Sequence, residues 1–587
     1  MTRTSHARVL TVAAGTLVSL SSVNAQVVGK DGRLIYPQGE PISRGTTKIE
    51  AEWLRTHPGF SGGFDAVTAP PVGPIHCAAE FEPQEGIIIG WEGGGTLNAI
   101  QAEMAKRITV DAASKVYVVC DSAGVQSTAN STLVGAGCNM ANVTFIIRTL
   151  DSIWMCDYGP RFIYEGNCRA TVDHWYNRAT RVNDNVFPDY WAQTYKKQGF
   201  YQLGSGGNQL IHGGGNFHLD GGNNRGFATK LIFNENNPPF TTNPGGGFNT
   251  GQAFSEATIG VIWNQYQGLN MTLLDPFPTS VDVTQHLDMW MQPVDNNKVI
   301  ISDWPLNPGS TQDNICDSTA ATMTSQGYTV FRIPAYTSGP GGTHFTWTNT
   351  VFCNNILLVP TYTSLPAGAP AAATANATAL AVFQSALPPG KTAVGINCQN
   401  IIGLAGAVHC IVRIVPAHKG LAGPNGGLAP TAYLQTPNGG QVLTPAQQFT
   451  ISWVSDDDAA VSSVDLLLST DGGSTFPTTI TTGLAPVGSF NWTVPNVNTA
   501  QARVRVVARD AVNNTGFDIS DTNFTIGTPP PVCYANCDGV GGLTGNDFQC
   551  FLNAYVANSS YANCDGVGGL TGNDFQCFLD KFVAGCS

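Results

Sequence analysis

The chain has 587 residues, too many for one hydrophobic core, so three or four folded units are expected. Its 28 Lys and Arg stand against 41 Asp and Glu, a net charge of −13 that argues against nucleic acid as a partner and is compatible with cationic substrates. Charged residues are only 12% of the chain and glycines number 66, a composition that suits an extracellular β-rich protein.

Residues 1–25 read as an export signal. Arg3 and Arg8 form a short basic start, Val9–Leu20 an apolar stretch, and Val23-Asn24-Ala25 small residues before a cleavage point near Gln26. A secreted or cell-surface location is the expectation, and no later segment approaches the ~18 uninterrupted apolar residues of a membrane span. Fifteen cysteines in an exported protein should mostly be paired. Six lie from Cys533 onward, and the nine before it are odd in number, so one thiol is expected to be left over, with Cys410 a candidate.

Residues 26–75 are rich in Gly, Pro and Thr without clear periodicity and read as a pro-segment or N-terminal arm; whether they cover a site is open at this level. From Cys77 the pattern becomes α/β. Glu85–Trp91 reads as a buried strand, Leu97–Ser114 as a helix and Val116–Cys120 as the next strand. Strand–helix alternation returns at Ile356–Val359, Ala371–Leu387 and Val394–Ile396, so residues 76–420 form one α/β unit. Residues 431–527 read all-β, with strands at Phe449–Val454, Val464–Ser469, Phe490–Val494 and Ala502–Ala508, as in an immunoglobulin-like or fibronectin-like sandwich. After Thr528–Pro531, the run Tyr534–Leu552 recurs unchanged at Tyr561–Leu579, so residues 533–587 form a small Cys-rich tandem module.

Four stretches carry candidate chemistry. In Asn400–Val415 a Gly/Ala-rich turn leads into His409-Cys410 and an apolar run expected to be a strand, which would fix the sulfur. In Ile153–Phe162, Trp154 and Asp157 precede a Tyr-Gly-Pro turn; a carboxylate beside an aromatic wall suits a flat cation such as guanidinium, although Asp157 also reads as an ordinary turn residue. His286 and Asp288 are two apart, on one face if the segment is a strand, a pairing open between acid/base, metal-ligand and structural roles. Asn349 reads as a polar orienting group or a hydrogen-bonded loop residue. The Gly-rich Gly206–Gly215 lacks the Lys-Ser/Thr ending of a phosphate loop.

The ordered set Phe81–Glu85, Trp154…Asp157-Tyr158-Gly159-Pro160, Gly214-Gly215-Asn216…Asp220-Gly221, His286-Leu287-Asp288 and His409-Cys410 resembles the agmatine deiminase and bacterial peptidylarginine deiminase family. That resemblance implies the pentein fold, a five-bladed pseudosymmetric α/β propeller with its site in the central channel. It implies Asp157 and Asp288 as the carboxylates that grip a guanidinium, Cys410 as the nucleophile and His286 as the acid and base. A covalent thiouronium intermediate follows from it, with no cofactor for catalysis. Carboxylates near Cys410 should disfavour its thiolate until a cationic substrate arrives.

Gly213 stands where agmatine deiminases carry a Glu, which weighs against free agmatine. Arg178 and Arg181 resemble the arginine pair of the peptidylarginine branch, with one extra residue between them, and Asn349 sits where that branch has a site Asn. Trp154, Arg178, Arg181 and Asn216 are the substrate-binding candidates. An arginine-containing peptide or protein is the expected substrate. An agmatine or other small-guanidine deiminase is the alternative, and a secreted non-catalytic binding protein the remaining one.

In the tail, Asn536, Asp538 and Asp547, and again Asn563, Asp565 and Asp574, have a spacing that suggests structural calcium. Counting Asn536 as position 1 gives an EF-hand frame with Gly541 at 6, but Val540 at 5 cannot ligate by its side chain. A dockerin-like frame is equally open. The tail resembles dockerin-type repeats, which implies a cohesin-like or cell-surface partner; a disulfide-stapled pair of helical hairpins without metal is the other reading.

Overall fold

In the computed structural model the described residues are 27–29, 32–57, 66–237, 253–527, 533–538 and 542–585. The export signal, the linker Thr528–Pro531, and Val540 and Gly541 lie outside them. The chain divides into two compact units, one ending at His418 and one from Lys419 onward that also takes in residues 196–198.

In the first unit, five small sheets repeat one construction. An opening strand pairs antiparallel with a second, which pairs parallel with a third reached through a helical connection. Thus His218–Asp220 pairs with Arg225–Thr229, and helix Glu256–Gln267 leads on to Asn270–Leu274. Met291–Asp295, Lys298–Asp303 and Thr329–Pro334 repeat this around helix Thr311–Ser325, and Val351–Cys353, Ile356–Thr361 and Thr392–Asn397 around helix Ala372–Ala386. In the remaining sheet the opening strand is the last of the unit: Arg413–Pro416 pairs antiparallel with the early strand Gln84–Gly90.

The second strands are covered on both faces, so they read as unbroken apolar runs rather than alternating ones. Ile87, Ile88 and Ile89 are all fully buried, and each such side chain contributes about 1.5–3 kcal/mol. Ser122, Ser255 and Ser310 start three of the helices by accepting a backbone N–H three residues on.

The second unit holds a three-stranded and a six-stranded sheet whose inward residues form one core around Trp453, Ile451, Leu466 and Val504. Strand Thr499–Asp510 alternates buried and half-buried positions, the period of a one-sided sheet. In the tail, helices Gly545–Val556 and Gly572–Ala584 each open on a Thr/Asp capping box. Disulfides Cys537–Cys550 and Cys564–Cys577 staple them, and Phe551 stacks on Phe578 with ring centres 4.0 Å apart. Among the described residues no helix is long and apolar enough to cross a membrane.

Four expectations are corrected. Cys77, Cys120, Cys138, Cys156, Cys316, Cys353, Cys398 and Cys410 are free thiols, all but Cys138 buried, so pairing parity does not single out Cys410. Cys77, Cys120, Cys316, Cys353 and Cys398 serve as small apolar side chains on separate elements. The helix expected over Leu97–Ser114 is α-helical over Gly94–Lys106 and widens to a π turn over Arg107–Asp111, where β-branched Ile108, Thr109 and Val110 crowd the backbone. His286–Asp288 lies on a 3-10 turn rather than a strand, and Cys410 on another, with the strand beginning only at Arg413. The arm contains a regular element, helix Lys48–Thr56.

Candidate functional site

Short segments of tight chain stand immediately before the opening strands of the five sheets. The turns Met155–Tyr158, Gly214–Asn216, Leu287–Met289 and His409–Ile411 precede Arg161–Glu165, His218–Asp220, Met291–Asp295 and Arg413–Pro416, and loop residues 346–350 precede Val351–Cys353. They carry Asp157, Gly215, Asp288, Cys410 and Asn349 respectively, and these residues meet.

They meet around an arginine from the arm. The Arg44 side chain is fully buried. Its Nε and Nη2 donate to the two oxygens of Asp157 at 2.9 and 2.8 Å, and its Nη1 and Nη2 to those of Asp288 at 3.0 and 2.9 Å. Two bidentate pairs fix the plane of the guanidinium. His286 Nδ1 lies 2.7 Å from Nη2. The Gly215 N–H donates to Asp157 Oδ1 at 3.1 Å, and a Cβ on Gly215 would stand 1.7 Å from Nη2, so glycine is required there.

Charge balance follows from this contact. Burial would raise both carboxyls, but Arg44 holds Asp157 and Asp288 well below the usual carboxylate range, with help from His286 and, at Asp288, from His409. Burial works against the charge of Arg44, and the two aspartates more than restore it. Burial and the adjoining Arg44 cation push His286 down, against Asp157, which favours a neutral ring that accepts from Nη2.

Cys410 Sγ lies 3.1 Å from Asn349 Nδ2 and 3.5 Å from Asp288 Oδ2. Asn349 Oδ1 accepts from the N–H groups of Ala407 and His409, both at 3.1 Å, and so holds the turn that carries the thiol. Burial pushes the thiol far up, Asp288 and Asp157 add to that, and Arg44 and His409 oppose it. A Cβ on Gly406 would come within 2.5 Å of the Trp154 ring and 2.9 Å of Cys410 Sγ, so the small residues of this turn make the room around the sulfur.

The arm's backbone is held on both sides of Arg44. Trp154 Nε1 donates to the Ile42 carbonyl at 3.1 Å, and Arg181 Nη2 to the carbonyls of Ser43 and Gly45 at 2.9 and 3.1 Å. Arg178 Nε donates to the Arg44 carbonyl at 3.2 Å, and the Arg44 N–H to the Leu404 carbonyl at 2.9 Å. Arg181 also bonds Glu50 at 2.8 Å, tying down helix Lys48–Thr56.

Asn216 stands apart from the guanidinium contacts. Its side chain pairs with the backbone of Thr229, accepting at 2.8 Å and donating at 3.3 Å. In the tail, Asp547 and Asp574 act as capping carboxylates, accepting from Thr544 and Thr571 N–H at 2.8 and 2.7 Å and from Asp538 and Asp565 N–H at 3.2 and 3.3 Å.

Arg44, Glu80 and the role of His409 escaped the sequence reading. His409 Nδ1 lies 2.9 Å from Asp288 Oδ2 and Nε2 2.7 Å from Glu80 Oε1. Against burial, Cys156, Glu80 and Asp288 raise this imidazole well above the ordinary histidine range, so it is a cation bridging two carboxylates. Its place beside Cys410 and that of Glu80 beside Phe81–Glu85 were the available signals.

A family model described as Porphyromonas-type peptidyl-arginine deiminase matches residues 76–416. Among solved structures, a C. jejuni agmatine deiminase with substrate bound is similar at 16% identity and TM-score 0.47, over 59% of this chain and 97% of that one. The agmatine deiminase of Enterococcus faecalis is similar at 16% identity and TM-score 0.47, over 60% of this chain and 100% of that one.

Proposed function

The chain belongs to the Porphyromonas-type peptidyl-arginine deiminase family, hydrolases of the C–N bonds of guanidine groups, and from that premise we propose that it converts peptide-bound arginine to citrulline and ammonia. One observation carries the substrate class. The site holds an arginine together with the peptide carbonyls at Ile42, Ser43, Arg44 and Gly45, groups that agmatine lacks. Gly213 also leaves out the carboxylate that would meet a free amine. Because Gly45 continues the chain beyond Arg44, the contacts favour an internal arginine as well as a terminal one.

In this reading Asp157 and Asp288 neutralise and orient the guanidinium, which aligns its carbon for attack. Cys410 ionises when the cation arrives, because the same two carboxylates otherwise oppose its thiolate. The thiol's proton passes to the neutral His286, sulfur bonds to the carbon, and ammonia leaves with that proton. The imidazole then takes a proton from water, whose oxygen displaces the sulfur and leaves the ureido group. Asn349 steadies the thiolate, and Trp154, Arg178 and Arg181 read the peptide backbone.

We further read the five sheets as five blades of a propeller, the all-β segment as an immunoglobulin-like sandwich and the tail as a dockerin-like module on an exported protein. The Asn536/Asp538/Asp547 and Asn563/Asp565/Asp574 sets are its candidate calcium ligands, and calcium-dependent protection of the tail from proteolysis tests them.

The deciding experiment measures ureido product from purified chain, wild type and Cys410→Ala, on agmatine, a peptide ending in arginine and the same peptide with arginine internal. Turnover of the peptides, lost in Cys410→Ala, is expected. Turnover of agmatine alone would make the protein a small-guanidine deiminase, and no product from any substrate would remove the enzymatic reading.

A further inference from the structure

Arg44 makes the carboxylate and histidine contacts that the proposed reaction asks of its substrate. Its Nη2 is the atom on which Asp157, Asp288 and His286 converge, at 2.8, 2.9 and 2.7 Å. Cys410 lies 3.5 Å from the Asp288 oxygen that Nη2 shares. The backbone on both sides is held at fixed register, and Glu50 anchors the next turn of the arm through Arg181. An arm that served only as a plug would need no reactive group at this position, since any cation of similar reach would pair with the two aspartates. The residue present is the one the site converts.

We propose that Arg44 is the enzyme's first substrate: the chain deiminates its own Arg44 in cis, and the neutral citrulline left there loosens the arm and opens the site. This rests on the deiminase reading above and adds a modification site to it. The step balances. The Cys410 thiol gives its proton to the neutral His286, its sulfur bonds to Cζ, the Cζ–Nη2 bond breaks, and ammonia departs with that proton. Water then replaces sulfur, so guanidinium and water give a ureido group and ammonium.

The consequence is electrostatic. Before conversion two buried carboxylates are paired with one guanidinium. Afterwards Asp157 faces a neutral group while Asp288 keeps the His409 cation, and a buried charge that loses a partner is strongly unfavourable. The arm then loses its ionic anchor at Arg44 and keeps its backbone contacts and those of Gln38 and Glu50. An external arginine peptide restores the missing cation and displaces it.

The test uses full-length chain. Peptide mass mapping of residue 44 is done on wild type and Cys410→Ala, alongside turnover of an added internal-arginine peptide. Citrulline at position 44 in wild type and arginine there in Cys410→Ala is the expected result. Arginine at 44 in a wild type that turns over the peptide would overturn the proposal and leave the family activity standing; no turnover of either would remove both. Mixing Cys410→Ala with a small amount of wild type checks the cis claim, because conversion of the variant's Arg44 under those conditions would overturn it. Arg44→Lys keeps a cation but offers no guanidinium carbon, and its peptide turnover is expected to fall at least about tenfold below wild type. Equal turnover in Arg44→Lys would overturn the release step.

Discussion

Asn349 and Cys410 sit on the entrances to two different sheets, yet the amide nitrogen of one lies 3.1 Å from the sulfur of the other. The same amide's oxygen takes two backbone N–H groups of the cysteine's own turn. One side chain therefore sets both where the sulfur is and what donor faces it.

Asn349→Ala removes that donor and leaves two buried N–H groups unpaired, each worth about 1–3 kcal/mol. We expect kcat to drop by at least about tenfold with a smaller change in KM, together with a lowered melting temperature. Asn349→Asp, which retains the acceptor and loses the donor, should recover much of the stability and little of the rate.

Gly215→Ala places a methyl group where the guanidinium nitrogen lies. Because Gly215 is on a buried turn whose N–H already serves Asp157, the fold should survive and guanidinium binding should not. Steady-state kinetics on an arginine peptide, with circular dichroism as control, check this.

Acid should release the arm before it unfolds the catalytic unit. Burial would raise the Glu50 carboxyl, but Arg181 outweighs it, bringing the value from 4.5 to about 2. A folded value below the unfolded one means that the contribution is complete above pH 4.5 and is lost as pH falls toward about 2. The difference corresponds to about 3 kcal/mol. Limited proteolysis of the arm across that range measures the release, and Glu50→Gln should lose most of the pH dependence while binding the arm weakly throughout.

Glu80→Gln takes one of two carboxylates from the His409 cation. The imidazole's proton is then less firmly held, and Asp288 loses part of its counter-charge. We expect the alkaline limb of kcat against pH to move to lower pH while KM changes little. An unchanged pH profile would confine Glu80 to a packing role.

Asp157, His286, Asp288, Asn349 and Cys410, which the structure brings together, were legible as candidates because each belongs to a short motif. His286 and Asp288 were legible as a pair, but the alternation that suggested a strand belongs to a 3-10 turn. Local spacing cannot tell these apart when the whole segment is buried. Arg44 was not legible. It lies in a stretch without periodicity, and its meaning comes from carboxylates 113 and 244 residues further along. Cysteine parity misled for a different reason, since it assumed pairing where the fold uses thiols as core side chains.

The pairing of Arg413–Pro416 with Gln84–Gly90 also orders events in time. Cys410, three residues upstream of that last strand, cannot reach its place until the strand has returned to the first one, across more than three hundred residues of intervening chain. Contacts of such long range form late and slowly. A growing or truncated chain thus displays the aspartates and the histidine without the sulfur, and the candidate site is assembled only when the unit is complete.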